Sequence, residues 1–211
     1  MRIKLIRHGE SLANTNVVDP HTEGDFHVCL SDRGVAQART LAERVDAGFI
    51  KSALIYSSPY ERARQTLKIL LDDHGLAPTV YEDPLLREHD RGYHDEESQL
   101  EMRKAHGWFY YRHKGGESPA DVYLRASVFL ESLYREIGRS QRRNVLIVAH
   151  GMFIRCFVMR FLHLSHEDFL TMKDPDNTDI ISIVPQEAGR SPAFSSPRWC
   201  VEGLKLKPAG E

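Results

Sequence analysis

The sequence predicts an α/β fold: a three-layer α/β/α sandwich around a mostly parallel central sheet, in a single domain. Short β-branched, apolar runs alternate with segments of helical period along the chain. Strands separated by helices call for parallel pairing with right-handed crossovers. The run 145–149 is apolar at every position, as a central strand covered by helices on both faces requires.

Taken in order, strands are expected at residues 3–6, 53–56, 79–81, 145–149 and 180–184. After the first, Ser31 is placed to cap a helix whose apolar positions are Val35, Ala38, Leu41, Ala42 and Val45. Ser58-Pro59-Tyr60-Glu61 reads as a capping box with proline at the first helical position, followed by a stripe of Ala63, Thr66, Ile69 and Leu70. Ser118-Pro119-Ala120-Asp121 repeats that start signal ahead of Val122, Ala126, Phe129, Leu130, Leu133 and Ile137. Residues 152–162 form a very apolar helix, and Ser165 caps another beginning near His166. From Pro185 the chain is rich in Pro, Gly and Ser. Residues 186–211 are therefore expected to be a tail, partly ordered at most, with Trp199 and Val201 able to dock part of it.

Composition narrows the class. The 211 residues are 41% apolar, enough for a substantial core without disulfide or metal staples. A formal charge of −2 argues against a general nucleic-acid binder or a polybasic membrane protein. The longest apolar run is far short of the roughly 20 residues that cross a bilayer. The N-terminus lacks the apolar stretch of a signal peptide, and three cysteines suggest no disulfide framework. A soluble, cytoplasmic protein is expected, with no nucleic-acid or membrane partner. Nothing in the sequence marks an oligomeric state.

In open α/β sheets ligands bind beyond the carboxyl ends of the strands. There the first strand runs into Arg7-His8-Gly9-Glu10 and the fourth into His150-Gly151. The second runs into Ser57-Ser58-Pro59 with Arg62 shortly after, and the third into Leu85-Leu86-Arg87-Glu88. Arginine offers a permanently charged fork suited to phosphate oxygens. Glycine after histidine lets backbone approach closely. A neutral imidazole is available as a nucleophile near pH 7, and a carboxylic acid can protonate a departing oxygen. Singly, a strand-ending histidine is more often a packed or loop residue; two His-Gly pairs with an arginine on each side point to an anion site. Competing chemistries find no support: there is no Walker loop, no zinc motif, and no cysteine–arginine spacing of a thiolate phosphatase. His89, Asp90, His94 and Asp95 superficially mimic a metal site but read as polar loop, so no metal is expected.

These motifs resemble the histidine phosphatase superfamily, in its phosphoglycerate-mutase-like branch. The markers are Arg7-His8-Gly9-Glu10-Ser11 with Asn14, then Leu30-Ser31-Asp32-Arg33-Gly34 with Gln37 and Ala38. Ser57-Ser58-Pro59 with Arg62-Ala63 and Gln65-Thr66, Glu88 with Gly92, and Ala149-His150-Gly151 follow in order. The resemblance covers roughly residues 2–184 and implies a phosphatase domain over 1–185. It implies that His8 attacks phosphorus and carries a phosphohistidine, with Glu88 as general acid and base. Arg7, Arg62 and His150 would hold the phosphoryl oxygens, with Asn14 and Gly151 lining the substrate site, and no metal or other cofactor would be needed. Glu10 would orient its neighbours. The loop 19–29 is longer than in glycolytic mutases, and no substrate contact is carried onto it.

Only 61 residues separate Glu88 from His150, a span like that of compact phosphatases and shorter than in the mutases. The expected activity is thus metal-independent hydrolysis of a small phosphorylated substrate, with a phosphoprotein also open. Alternatives are a phosphoglycerate-mutase-type transferase, or a non-catalytic binder of phosphorylated ligands. Cations and aromatics interleaved over 103–114 read equally as a lid or as an amphipathic helix burying Met102, Ala105 and Phe109.

Overall fold

A computed structural model describes residues 1–93, 96–190 and 192–208, excluding the side chains of 96–98; His94 and Asp95 of the polar loop lie outside it. In chain order the elements begin with β1 (Arg2–Arg7), α1 (Pro20–Glu23), α2 (Asp32–Arg39), α3 (Leu41–Arg44) and α4 (Ala47–Ser52). Then come β2 (Ala53–Ser57), α5 (Glu61–Asp73), β3 (Val80–Glu82), α6 (Glu96–His106) and α7 (Pro119–Ser140). The chain continues through β4 (Asn144–Ala149), α8 (Gly151–Leu162), α9 (His166–Thr171), β5 (Ile180–Pro185), β6 (Phe194–Ser195) and β7 (Trp199–Glu202). The strands lie in the order β3-β2-β4-β1-β5-β7-β6. From β3 to β1 every pairing is parallel, whereas β5, β7 and β6 extend the sheet antiparallel. The α/β/α sandwich expected from the sequence is the fold observed.

The sheet's alternation builds two cores. Val145, Ile147 and Ala149 of β4 face α7 and α8 with Ile3 and Leu5 of β1, while Leu146 and Val148 face the other way with Ile6 toward α5. Phe129, Phe153 and Phe157 are fully buried in the first core. Each buried side chain of this size contributes roughly 1.5–3 kcal/mol. No helix among the described residues is long and apolar enough to cross a membrane.

Ser118 forms the capping box its sequence predicts, and Ser165, expected as a cap, forms a capping box as well, each side chain accepting from the backbone three residues on. Ser58 does not. The following helix starts only at Glu61, behind Tyr60, which supplies no side-chain cap. The Ser58 hydroxyl instead meets His150 Nε2 at 2.8 Å and accepts the Tyr60 N–H at 3.3 Å. Local signal gives way there to a contact 92 positions away in the chain.

The segment expected as a tail is also corrected. β7 pairs antiparallel with β5, and β6 pairs with β7. Cys200 and Val201 are buried, and the Trp199 ring packs edge-on against Phe161 at 5.7 Å. The β5–β7 pairing spans the irregular stretch between them, and its surrounding Pro, Gly and Ser conceal it.

Of the 103–114 stretch, Met102 and Ala105 are exposed and Phe109 alone of the three expected inward positions is buried. Trp108 stacks on Phe169, Tyr110 on His166, and Arg112 pairs with Asp121. The stretch is thus anchored to α9 and the start of α7.

Candidate active site

Parallel pairing brings the two His-Gly pairs side by side. Arg7 lies opposite Ala149 in the β1–β4 register, and the next residue, His8, donates its backbone N–H to Ala149 O at 3.1 Å. On the other side of β4, Ser58 N–H donates to Val148 O at 2.9 Å. Three strand ends thus open together. The His8 and His150 rings stand 5.0 Å apart between centroids, inclined by 61°.

The His8 tautomer follows from its neighbours. Nδ1 lies 2.7 Å from the Gly9 carbonyl, which can only accept, so Nδ1 carries the proton and the lone pair resides on Nε2. Arg62 Nε donates to that nitrogen at 3.2 Å. His8 and His150 are both buried. Burial, reinforced by the positive fields of Arg62 and Arg7, holds His8 well below the ordinary histidine range and keeps it neutral. Burial, then Arg62 and the neighbouring His8, does the same to His150.

Close backbone packing fixes the loop that carries His8. A Cβ on Gly9 would lie 2.6 Å from Gly34 O, and one on Gly34 would lie 1.9 Å from Glu10 O. Only two bare backbones fit there. Gly9 N–H donates to Thr66 Oγ1 at 3.0 Å, and Thr66 donates to Arg62 O at 2.7 Å, coupling the His8 loop to the first turns of α5. Glu10 accepts from Ser31 Oγ at 2.8 Å and pairs with Arg33, so its carboxylate is committed to the start of α2.

The cations are held unequally. Arg7 donates through Nη1 to Pro175 O at 2.5 Å, while its buried Nε meets no acceptor among the described residues. His150 Nδ1 is buried in the same state, while Nε2 meets Ser58. Buried polar atoms are normally paired, so these two nitrogens, one cationic and one on a neutral ring, could donate to an oxyanion. Arg62 differs: its Nη1 and Nη2 grip the Asp25 carboxylate at 2.7 and 3.0 Å, and Nη1 also donates to Asp25 O at 2.8 Å. A Cβ on Gly151 would touch the Arg7 guanidinium at 3.8 Å and Asp174 Cβ at 3.9 Å, so Gly151 borders the Arg7 group. His150 and Gly151 also open α8, whose N-terminal dipole favours negative charge. Asn14 is exposed and reaches His8 through Asn177, whose Nδ2 donates to Asn14 Oδ1 at 3.2 Å and His8 O at 3.1 Å.

Glu88 follows β3 and a 3-10 turn at Pro84–Leu86. Burial raises its carboxyl above the usual range, opposed by the His89 N–H that Oε1 accepts at 2.9 Å and by the charges of Arg62 and Arg7. The site therefore joins a neutral imidazole nitrogen with an open lone pair, fixed cations and a carboxyl that burial makes harder to ionise.

Sequence reasoning did not find Asp25, Asn177, Asp174, Glu117 or Arg125. Asp25 opens a single 3-10 turn at Asp25–His27 and Asn177 lies in a turn, neither with a pattern to read. Arg125 did leave a signal, a charge inside the apolar stripe of α7. Among the described residues no group of three or more His, Cys, Asp or Glu side chains is placed to hold a metal ion.

Residues 3–194 match the family model of the histidine phosphatase superfamily, branch 1. The chain is 34% identical over 199 residues to the phosphoglycerate mutase-like protein AT74 of Arabidopsis thaliana, covering 85% of this chain and 63% of that relative. It thus spans under two thirds of AT74. The broad-range acid phosphatase DET1 of Saccharomyces cerevisiae is 24% identical over 286 residues, covering 88% of this chain and 86% of DET1. The crystal structure of the alpha-ribazole phosphatase from Shigella flexneri shares the fold with a TM-score of 0.73 at 23% identity, over 97% of this chain and 96% of that one. By motif, topology and the extent of the family match, the chain belongs to the histidine phosphatase superfamily, branch 1.

Proposed function

We propose that the chain hydrolyses phosphate monoesters through a phosphohistidine on His8, without a metal ion. The observation that carries this is the pinned His8 tautomer, which leaves Nε2 as a lone pair amid cations. In the first half-reaction Nε2 attacks phosphorus, the P–O ester bond breaks, and the departing oxygen takes the Glu88 proton. In the second, the Glu88 carboxylate takes a proton from water as that water attacks the phosphohistidine. Phosphate leaves, and the Nε2 lone pair and the Glu88 proton are restored. Arg7, Arg62 and the neutral His150 stabilise the equatorial oxygens, with Gly151 and Asn14 at the border of the pocket. Ser58 Oγ can donate to His150 Nε2, and in that tautomer Nδ1 carries the N–H that His150 presents to phosphate.

The shifts at His8 and Glu88 support the same cycle. Catalysis needs His8 neutral and Glu88 protonated at once. At unshifted values of 6.5 and 4.5 that joint state would hold only about 1% of the molecules midway between them. Lowering the histidine and raising the carboxyl enlarges it.

The mutase-like name of AT74 keeps phosphoglycerate mutase activity as the second reading. The substrate class proposed is a small phosphorylated metabolite. The test is a phosphate-ester panel assayed in EDTA, with acid-labile labelling of the wild type and of His8→Ala. Turnover in EDTA with a label lost in His8→Ala supports the proposal. Absence of both refutes it, and conversion of 3-phosphoglycerate to its isomer faster than phosphate release favours the mutase.

A further inference from the structure

The segment Leu85–Asp90 carries Glu88, yet only its first turn is regular structure. Its backbone is tied instead to one side chain from α7. Arg125, 8% exposed, donates from Nη1 to Leu85 O at 2.6 Å and Arg87 O at 3.2 Å, and from Nη2 to Glu88 O at 3.3 Å. Its Nε and Nη2 grip the Glu117 carboxylate at 2.8 and 2.9 Å. Glu117 closes the frame from the other side: its carboxylate also takes the Arg87 guanidinium and the Asp90 N–H, and its carbonyl meets His89 Nε2 at 2.9 Å.

Burying a guanidinium costs several kcal/mol unless its donors are satisfied. Every Arg125 nitrogen is satisfied by this segment or by Glu117. The Glu88 carboxylate, by contrast, has a hydrogen bond to its own neighbour's N–H, so its aim is set by the backbone beneath it. We propose that Arg125, braced by Glu117, is the positioning residue that aims the Glu88 carboxyl at the ester oxygen. This rests on the general-acid reading of Glu88 given above.

The consequence is selective. An alkoxide leaves only with a proton supplied in the transition state, whereas 2,4-dinitrophenolate leaves without one. Misaiming an acid by about 1 Å can cost as much as 100-fold. In Arg125→Lys, one ammonium with three donors cannot serve five acceptor oxygens. kcat/KM, which reports the phosphorylation of His8, should fall by about 10- to 100-fold on an alkyl phosphate and by less than about threefold on 2,4-dinitrophenyl phosphate. Glu117→Gln, which keeps the guanidinium in place, should shift the ratio the same way by a smaller factor, and it carries the test should Arg125→Lys fail to fold. Glu88→Gln calibrates the ratio. Equal losses on both esters in a folded variant, or no loss on either, overturn the proposal while leaving the general-acid reading intact. A Glu88→Gln variant with no such differential instead sinks the general-acid reading, and the proposal with it.

Discussion

Asp25 presents a carboxylate to the arginine proposed to bind phosphate, and the competition can be measured. The pair is bidentate, with the Arg62 side chain 5% and the Asp25 side chain 34% exposed. Fully exposed pairs are worth about 0.2–1 kcal/mol and charge-assisted hydrogen bonds about 1.5–3, so this half-sheltered pair falls near 1.4 kcal/mol. An incoming phosphate that takes over the Arg62 Nη groups must first displace that carboxylate. Removing it with Asp25→Ala should tighten inorganic phosphate binding by about tenfold. The same change should lower folding stability, because Arg62 is left buried with its charge unpaired. Opposite signs in two measurements separate competition from general damage. Isothermal titration with phosphate gives the first and urea denaturation the second, and Asp25→Asn should follow Ala in both. Weaker phosphate binding in Asp25→Ala would refute the reasoning, because Asp25 would then be orienting Arg62 rather than competing for it.

Activity should depend on pH through Glu88 and His8. On alkyl phosphates kcat/KM should fall as pH rises through the elevated Glu88 value, a limb absent in Glu88→Gln, and should fall on the acid side only well below 6.5, where His8 protonates. Stability should follow the two buried histidines. Both are neutral in the fold, so below about pH 6.5 the unfolded chain binds protons that the fold excludes. Their contribution, present above that pH and lost below it at up to about 1.4 kcal/mol per pH unit each, should appear as a falling melting temperature in calorimetry between pH 7.5 and 5.5, with a shallower fall in His8→Asn. Gly92 has φ of +64°, and a Cβ there would lie 2.0 Å from Lys114 O. Gly92→Ala should therefore cost at least about 1–3 kcal/mol, read from the urea midpoint.

The parallel half of the sheet was legible because its strands announce themselves. β1 and β4 are β-branched runs, and each ends in a His-Gly pair that parallel pairing brings to one edge. Ser118 and Ser165 were legible as caps because their partners lie three residues away. Ser58 was misread because its hydroxyl serves His150, and no local rule contains a residue so distant in sequence. β7 was missed because its inner partner is the edge of β5 across an irregular stretch, and β6, only two residues long, pairs with β7 alone. His8, Arg62, Glu88 and His150 could be picked from strand ends, but what holds Glu88 could not. The Arg125 frame consists mostly of hydrogen bonds to backbone carbonyls, and carbonyls are the same in every sequence.

The antiparallel strands bear on how far the chain can be trimmed. β5 lies beside β1, and β7 satisfies the outer row of amides and carbonyls on β5. Cleavage after Pro185 would bare that row one strand away from the strand that leads into His8 and uncover Ile181, Ile183 and the flank of Phe161. An open apolar rim of this kind recruits strands from other molecules. A fragment cut after Pro185 would therefore be prone to aggregate, and the last two strands serve as the selvedge that keeps the sheet from fraying into its neighbours.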